Sequence, residues 1–233
     1  MAKKVEKWVK DVEELSKIAV EEPQAALSAF TKAICHRWSF MQRTISDAGH
    51  LFQPLEDAIR DIFIPSIIGR KINDLERRIF ALPVRMGGLG ITNPVESAKH
   101  EYHTSKCVTR NLVEIMIKQE LTFENFNQED VEKEIKRCTN EKLDRYKEEL
   151  QQITEVADSK TKRVLKLAEE KGSGAWLTAL PIQSLGYTLN KQEFRDSVAL
   201  RYGWRITGTP SHCGCGQKNN IDHSLSCKLG GAP

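Results

Sequence analysis

The sequence predicts a mainly α protein: a helical bundle, then a long charged helical arm, then a small C-terminal Cys3His zinc knuckle. Three observations predict it. Apolar residues recur at spacings of three and four along most of the chain, the period of a helix with one buried face. Residues 129–171 carry 11 Lys+Arg and 12 Asp+Glu around a thin apolar seam. Three of the six cysteines fall between positions 213 and 227, with a histidine among them. The 233 residues are 39% hydrophobic, below the roughly 45–50% of globular chains, so much of the chain should form thin, solvated elements. The best apolar run, residues 63–68, contains Pro65 and falls far short of the ~18 residues of a membrane span. The first 22 residues interleave Lys, Glu and Asp with apolar residues, which argues against a secretory signal. The expectation is an intracellular protein with reduced thiols, nuclear or cytoplasmic, and no membrane contact. A net charge of +3 says little about partners.

The elements follow in order. Residues 3–20 read as an amphipathic helix through Val5, Trp8, Val9, Val12, Leu15 and Ile18 or Ala19. Pro23 opens a second, where its missing N–H costs nothing, with a stripe of Ala26, Leu27, Phe30, Ile34, Trp38 and Met41. Residues 51–68 form a third, with Leu55, Ala58, Ile59, Ile62 and Phe63 inward and Pro65 kinking or ending it. Asn73 caps a short fourth through Phe80. Residues 81–94 form a Gly-rich loop, and Asn93-Pro94 starts a long helix to about Gln119. Residues 123–128 are a break. Val131, Ile135, Cys138, Leu143, Tyr146, Leu150, Ile153 and Ala157 then make a seam that suits either a solvated helix packed along one edge or a coiled-coil arm. After Gly172 and Gly174 comes an apolar anchor, Trp176 to Pro181, and a last helix over residues 190–204. Strand is expected only in short pieces near 84–92 and 183–189.

The sharpest chemistry is Cys213-Gly-Cys215, then His223, then Cys227. Three soft sulfurs and an imidazole are what tetrahedral zinc takes in a closed structural site. Gly214 and Gly216 flank Cys215 and permit a tight turn. His223 and Cys227 are i and i+4, so one helical turn puts both on one face. His212 is a competitor for the nitrogen ligand, and Asp222 is a candidate outer-shell partner. The bland reading is three reduced cysteines in a loop. One structural Zn2+ leaves no open position for water, which argues for binding or architecture and against catalysis.

Basic residues suggest the partner. Arg70, Lys71, Arg77, Arg78 and Arg85 lead into the Gly-rich loop, where Arg beside exposed N–H groups suits phosphate. Arg195, Arg201, Arg205 and Lys218 surround the knuckle, with Tyr202 and Trp204 just before it. Aromatics with arginine suit single-stranded bases, but a small zinc unit also needs aromatic anchors of its own. Surface arginines on an ordinary helix explain the first set equally well. No nucleophile elbow, P-loop or zinc-protease motif is present.

The stretches Leu51-Phe-Gln-Pro-Leu-Glu-Asp-Ala-Ile59, Leu82-Pro-Val-Arg-Met-Gly-Gly-Leu-Gly-Ile91, Trp176-Leu-Thr-Ala-Leu-Pro181 and Phe194-Arg-Asp-Ser-Val-Ala-Leu-Arg-Tyr-Gly-Trp204 stand in that order before the knuckle. Together with Ser226-Cys227-x-x-Gly230-Gly231 they resemble the region after the polymerase core of non-LTR-type retrotransposon reverse transcriptases, in the group with a C-terminal restriction-like nuclease. The resemblance implies a thumb-like helical bundle over residues 1–120, a charged arm over 128–171, and a linker helix with zinc knuckle over 172–233. It implies a fragment truncated at both ends. The metal-binding carboxylates of the palm and the nuclease are missing, so no polymerase or nuclease activity is expected. The function expected is a nucleic-acid-binding accessory region that grips RNA or DNA through backbone contacts. The alternative is a zinc-stapled helical interaction module whose arm self-associates through residues such as Ile135 and Leu150.

Overall fold

A computed structural model describes residues 1–118, 128–206 and 208–229, without the side chains of residues 221, 222 and 225. The fold is mainly α, with no strand among the described residues. Among the described residues the α segments are α1 (Ala2–Ala19), α2 (Pro23–Lys32), α3 (Ser39–Thr44), α4 (Gln53–Ala58), α5 (Ile64–Ile68), α6 (Asp74–Ala81), α7 (Pro94–Ile117), α8 (Gln128–Val156), α9 (Ser159–Ala168), α10 (Ala175–Thr178), α11 (Lys191–Arg201) and α12 (Ile221–Ser226). The break expected at 123–128 and the motif glycines at 230–231 fall outside the described residues, except for Gln128, which opens α8.

Packing of α1, α2, α4 and α5 makes the centre of the bundle. Phe30 stacks on Phe63 at 4.5 Å between centroids, and Trp8 stacks on Phe52 at 6.2 Å. Offset aromatic pairs of this kind add to the area that their rings already bury. Stripe residues Val12, Ala19 and Phe30 are fully buried, and Ile18 points to solvent.

The third predicted helix is continuous but changes pitch. A π-helical turn, Ile59–Phe63, joins α4 to α5. It ends just before Pro65, which has no N–H to give, and Ser66 Oγ donates to the Ile62 carbonyl at 2.8 Å. The helix therefore runs through Pro65 and stops at Gly69 in the left-handed conformation. The wider turn also rotates the face. Ile62, expected inward, is 41% exposed, and Ile64, Ile67 and Ile68 are buried in its place. The second predicted helix breaks at Ala33 and resumes as α3.

Neither predicted strand piece forms. Residues 84–86 and 183–185 are 3-10 turns. In the Gly-rich loop the N–H groups of Leu89 and Ile91 both donate to the Phe80 carbonyl, so the loop folds back on α6 instead of pairing with a strand. A Cβ on Gly88 would run into the Leu82 carbonyl oxygen, which explains the glycine there. Near 187–189 the buried Gln24 amide substitutes for a neighbouring strand. It donates to the Tyr187 carbonyl at 3.0 Å and accepts from the Leu189 N–H at 2.7 Å.

The charged arm is two helices. The Asp158 side chain accepts from the Thr161 N–H at 2.9 Å and starts α9 just after α8 ends. Its seam splits as well. Tyr146, Leu150 and Ile153 pack on the bundle, whereas Ile135 is 48% exposed. One core cluster contains Val5 and Phe30, Ile153 and Leu165, and Leu177, Phe194 and Tyr202, so all three sequence segments contribute to it.

Candidate metal centre

After Tyr202 the apolar core ends. Between residues 205 and 229 no described residue is buried. What order there is comes from a hairpin and a single helix. His212 and Lys218 form an antiparallel bridge, and the Cys213 N–H donates to the Gln217 carbonyl at 2.8 Å. Gly216, with φ of +86°, closes the turn. Asn220 then caps α12, accepting from the His223 N–H at 2.7 Å. That helix carries His223, and Cys227 follows as its C-cap.

The hairpin and the helix bring Cys213, Cys215, His223 and Cys227 together, with their ligand atoms all within 4.8 Å of one another. The Cys213 and Cys227 sulfurs are 3.6 Å apart, well beyond the ~2.05 Å of a disulfide. The Cys215 sulfur is 3.2 Å from His223 Nε2. The Cys215 backbone N–H, helped by His223 and Cys227, brings the Cys213 thiol down to about 6. At Cys227 the Leu229 N–H pulls the other way, but Cys213, burial and Cys215 together push the thiol up. A cluster in which one thiol ionises readily and the next resists is what several sulfurs sharing one small space produce. These four residues can hold a metal ion. The competitor His212 is exposed, and its Nδ1 is 3.1 Å from Ser211 Oγ, outside the group. The side chain of Asp222 lies outside the described residues.

The basic candidates divide. Arg77 is 5% exposed and is spent on Glu56 in a two-pronged pair at 2.6 and 2.7 Å, with a third bond to the Ile91 carbonyl at 2.8 Å. It is a core residue and does not reach a phosphate. Arg195 donates to the Ile67, Ser66 and Val20 carbonyls and so joins α11 to the ends of α5 and α1. Arg201 donates to the Ser173 and Val84 carbonyls. Arg70 pairs with Glu76 and lies 3.7 Å over the Trp204 ring, and Arg78 pairs with Glu149 at 2.7 Å. Lys71, Arg85, Arg205 and Lys218 are exposed and form no ion pair among the described residues.

Tyr202 and Trp204 serve as anchors. Tyr202 is buried, donates to the Gly87 carbonyl at 2.9 Å, and stacks on Trp204 at 5.1 Å. Phe80 meets both rings. These contacts fasten the root of the knuckle to the Gly-rich loop. Arg70, from the first basic stretch, lies over the Trp204 ring, next in sequence to Arg205, although the two stretches are far apart in sequence. Spacing alone could not show that adjacency. Comparison with family models, curated proteins and solved structures found no match to this chain.

Proposed function

We propose that the chain binds nucleic acid through a zinc-ordered knuckle seated on a helical bundle, as an accessory region of a retrotransposon-type reverse transcriptase. The observation that carries the reading is the convergence of Cys213, Cys215, His223 and Cys227 at the tip of the chain. Three sulfurs and one imidazole suit zinc over harder cations. A tetrahedral zinc spaces its sulfur and nitrogen ligands about 3.5–3.8 Å apart, close to the observed 3.2 and 3.6 Å. The set is complete, so its role is architectural. Exposed Lys71, Arg85, Arg205 and Lys218 supply the phosphate contacts, and the likeness of the motif order to reverse transcriptases names the setting.

The test is zinc content by elemental analysis, for the unaltered chain and for Cys213→Ser/Cys227→Ser, alongside titration of labelled single- and double-stranded oligonucleotides at two salt concentrations. The reading expects one zinc per chain, lost in the variant together with salt-sensitive binding. Each phosphate contact removed, as in Lys218→Ala, should flatten the logarithmic salt slope by about 1. Zinc without nucleic-acid binding would overturn the functional part and leave a structural staple.

One observation favours the second reading, an interaction module. Leu112, Val113, Met116, Ile117 and Ile135 are exposed on α7 and α8. Self-association that is lost in Ile135→Lys, with no affinity for oligonucleotides, would favour it.

A further inference from the structure

The charged arm divides by sign. Helix α8 has nine carboxylates and six Lys or Arg, whereas α9 has Lys160, Lys162, Arg163 and Lys166 and no carboxylate. The near balance of residues 129–171 as a whole conceals this. The arrangement does not serve the helix. Lys160 and Lys162 stand near its N-terminus, where the helix dipole disfavours positive charge, and Lys162 and Lys166 are like charges one turn apart. Asp158 at the cap offsets part of this cost. The fold does not use these cations either. Helix α9 packs through Leu165 and Ala168, which are buried, while all four cations are exposed. The ammonium groups of Lys160, Lys162 and Lys166 make no hydrogen bond or ion pair among the described residues.

Two glycines fix where α9 lies. A Cβ on Gly87, which has φ of +90°, would stand 2.9 Å from Leu165 Cδ2. Helix α9 thus packs directly on the Gly-rich loop, beside the turn that carries Arg85. A Cβ on Gly203 would stand 3.1 Å from both Val164 Cγ2 and Lys160 Cε, and 3.9 Å from Lys160 Nζ. Gly203 comes just before Trp204 and Arg205, so Lys160 sits at the root of the knuckle. Along α9, Lys160, Arg163 and Lys166 follow at steps of three, which places them on one ridge about 9 Å long. Lys162 lies off that ridge and lines a groove with Glu155 and Glu169.

We propose that α9 is a phosphate-binding element of the nucleic-acid interface, its ridge of Lys160, Arg163 and Lys166 carrying the backbone between Arg85 on the Gly-rich loop and Arg205 at the root of the knuckle. The proposal rests on the nucleic-acid reading above. A row of exposed cations with no anion among them is complementary to a repeating anion. The spacing suits one as well: each strand of a duplex carries a phosphate every ~3.4 Å along the axis, so the ridge spans about two or three. Contacts of this kind add affinity and carry no sequence preference.

The experiment is titration of labelled oligonucleotides of two unrelated sequences with the full chain, zinc present, at several salt concentrations. It compares the unaltered chain with Lys160→Ala/Lys166→Ala, Lys160→Arg/Lys166→Arg and Lys162→Ala. The alanine pair should weaken binding to both sequences alike and flatten the logarithmic salt slope by about 1 for each lysine removed. The arginine pair should keep the slope, and Lys162→Ala should leave it nearly unchanged. Circular dichroism checks that each variant is folded, and amide chemical-shift mapping on the unaltered chain, with shifts centred on 160–166, reads the same contact without any substitution. A binding chain whose slope is the same in the alanine pair, or whose shifts avoid α9, would overturn the proposal and leave the nucleic-acid reading standing. Equal flattening by Lys162→Ala would overturn it as an effect of net charge. Polyglutamate competing as well as an oligonucleotide would overturn it in favour of an acidic polypeptide. An unaltered chain that binds no oligonucleotide would overturn both the proposal and the reading beneath it.

Discussion

Around Phe30 the chain is held mainly by apolar contact. Phe63 stacks on it, Trp38 leans on it at 6.1 Å, and all three rings are buried. Between residues 205 and 229 no described residue is buried, and the segments are joined by a few hydrogen bonds and by the convergence of four ligand atoms. Burying a large apolar side chain contributes roughly 1.5–3 kcal/mol, so the bundle has many independent supports. A unit of this size without a core needs a staple, and here a metal is the candidate staple. Removing the metal should therefore dissolve the knuckle and leave the bundle, whereas core changes should act the other way round.

The largest expected effect lies in the bundle. Arg77→Ala would strand Glu56 in the core, and leaving one partner of a buried pair uncompensated costs about 3–5 kcal/mol. Denaturant unfolding checks this. Arg77→Met/Glu56→Leu should recover most of the loss while leaving zinc content unchanged. A charged pair that proved dispensable singly would mean that water reaches Glu56. Next, Gly88→Ala forces a Cβ against the Leu82 carbonyl and should cost at least about 1–3 kcal/mol, the range for overpacking, by the same measurement. Tyr202→Phe removes one buried hydrogen bond to Gly87 and should cost about 1 kcal/mol, loosening the root of the knuckle without altering metal stoichiometry.

The smallest effect is a pH dependence. Although burial raises it, Lys142 and Arg43 hold the Glu101 carboxyl below its usual range. A depressed carboxylate contributes stability above its unfolded pKa and loses it as pH falls through the folded value. Acidification below the normal carboxylate range should therefore weaken the link from α7 to α3 and α8, and Glu101→Gln should flatten that part of the stability profile. Because the three side chains are partly solvated, the change should be small.

The sequence showed much of this at the level of local chemistry. Capping residues were readable because their rule is local: Asn73 forms a capping box with Glu76, and the Asn93 side chain accepts from the Val95 and Glu96 N–H groups at the start of α7. The four ligands were readable because i,i+4 spacing on a short helix and a Cys-Gly-Cys turn leave few arrangements. Registers set by tertiary context were not. The π turn before Pro65 moved Ile62 outward, and no local pattern announces a π turn. The fates of the arginines were hidden for the same reason. Arg77 and Arg78 are adjacent and chemically identical, yet one lies in the core opposite Glu56 and the other on the surface opposite Glu149. The partners are 21 and 71 residues away.

The most direct test of the contrast is amide hydrogen exchange on the full chain, with zinc and after chelation. The account predicts that zinc protects amides within residues 211–228, above all the Cys213 and Gly216 N–H groups, and that chelation abolishes this while protection in α1, α2 and α4 stays unchanged. Knuckle amides that remain protected without metal, or bundle amides that lose protection along with them, would contradict it.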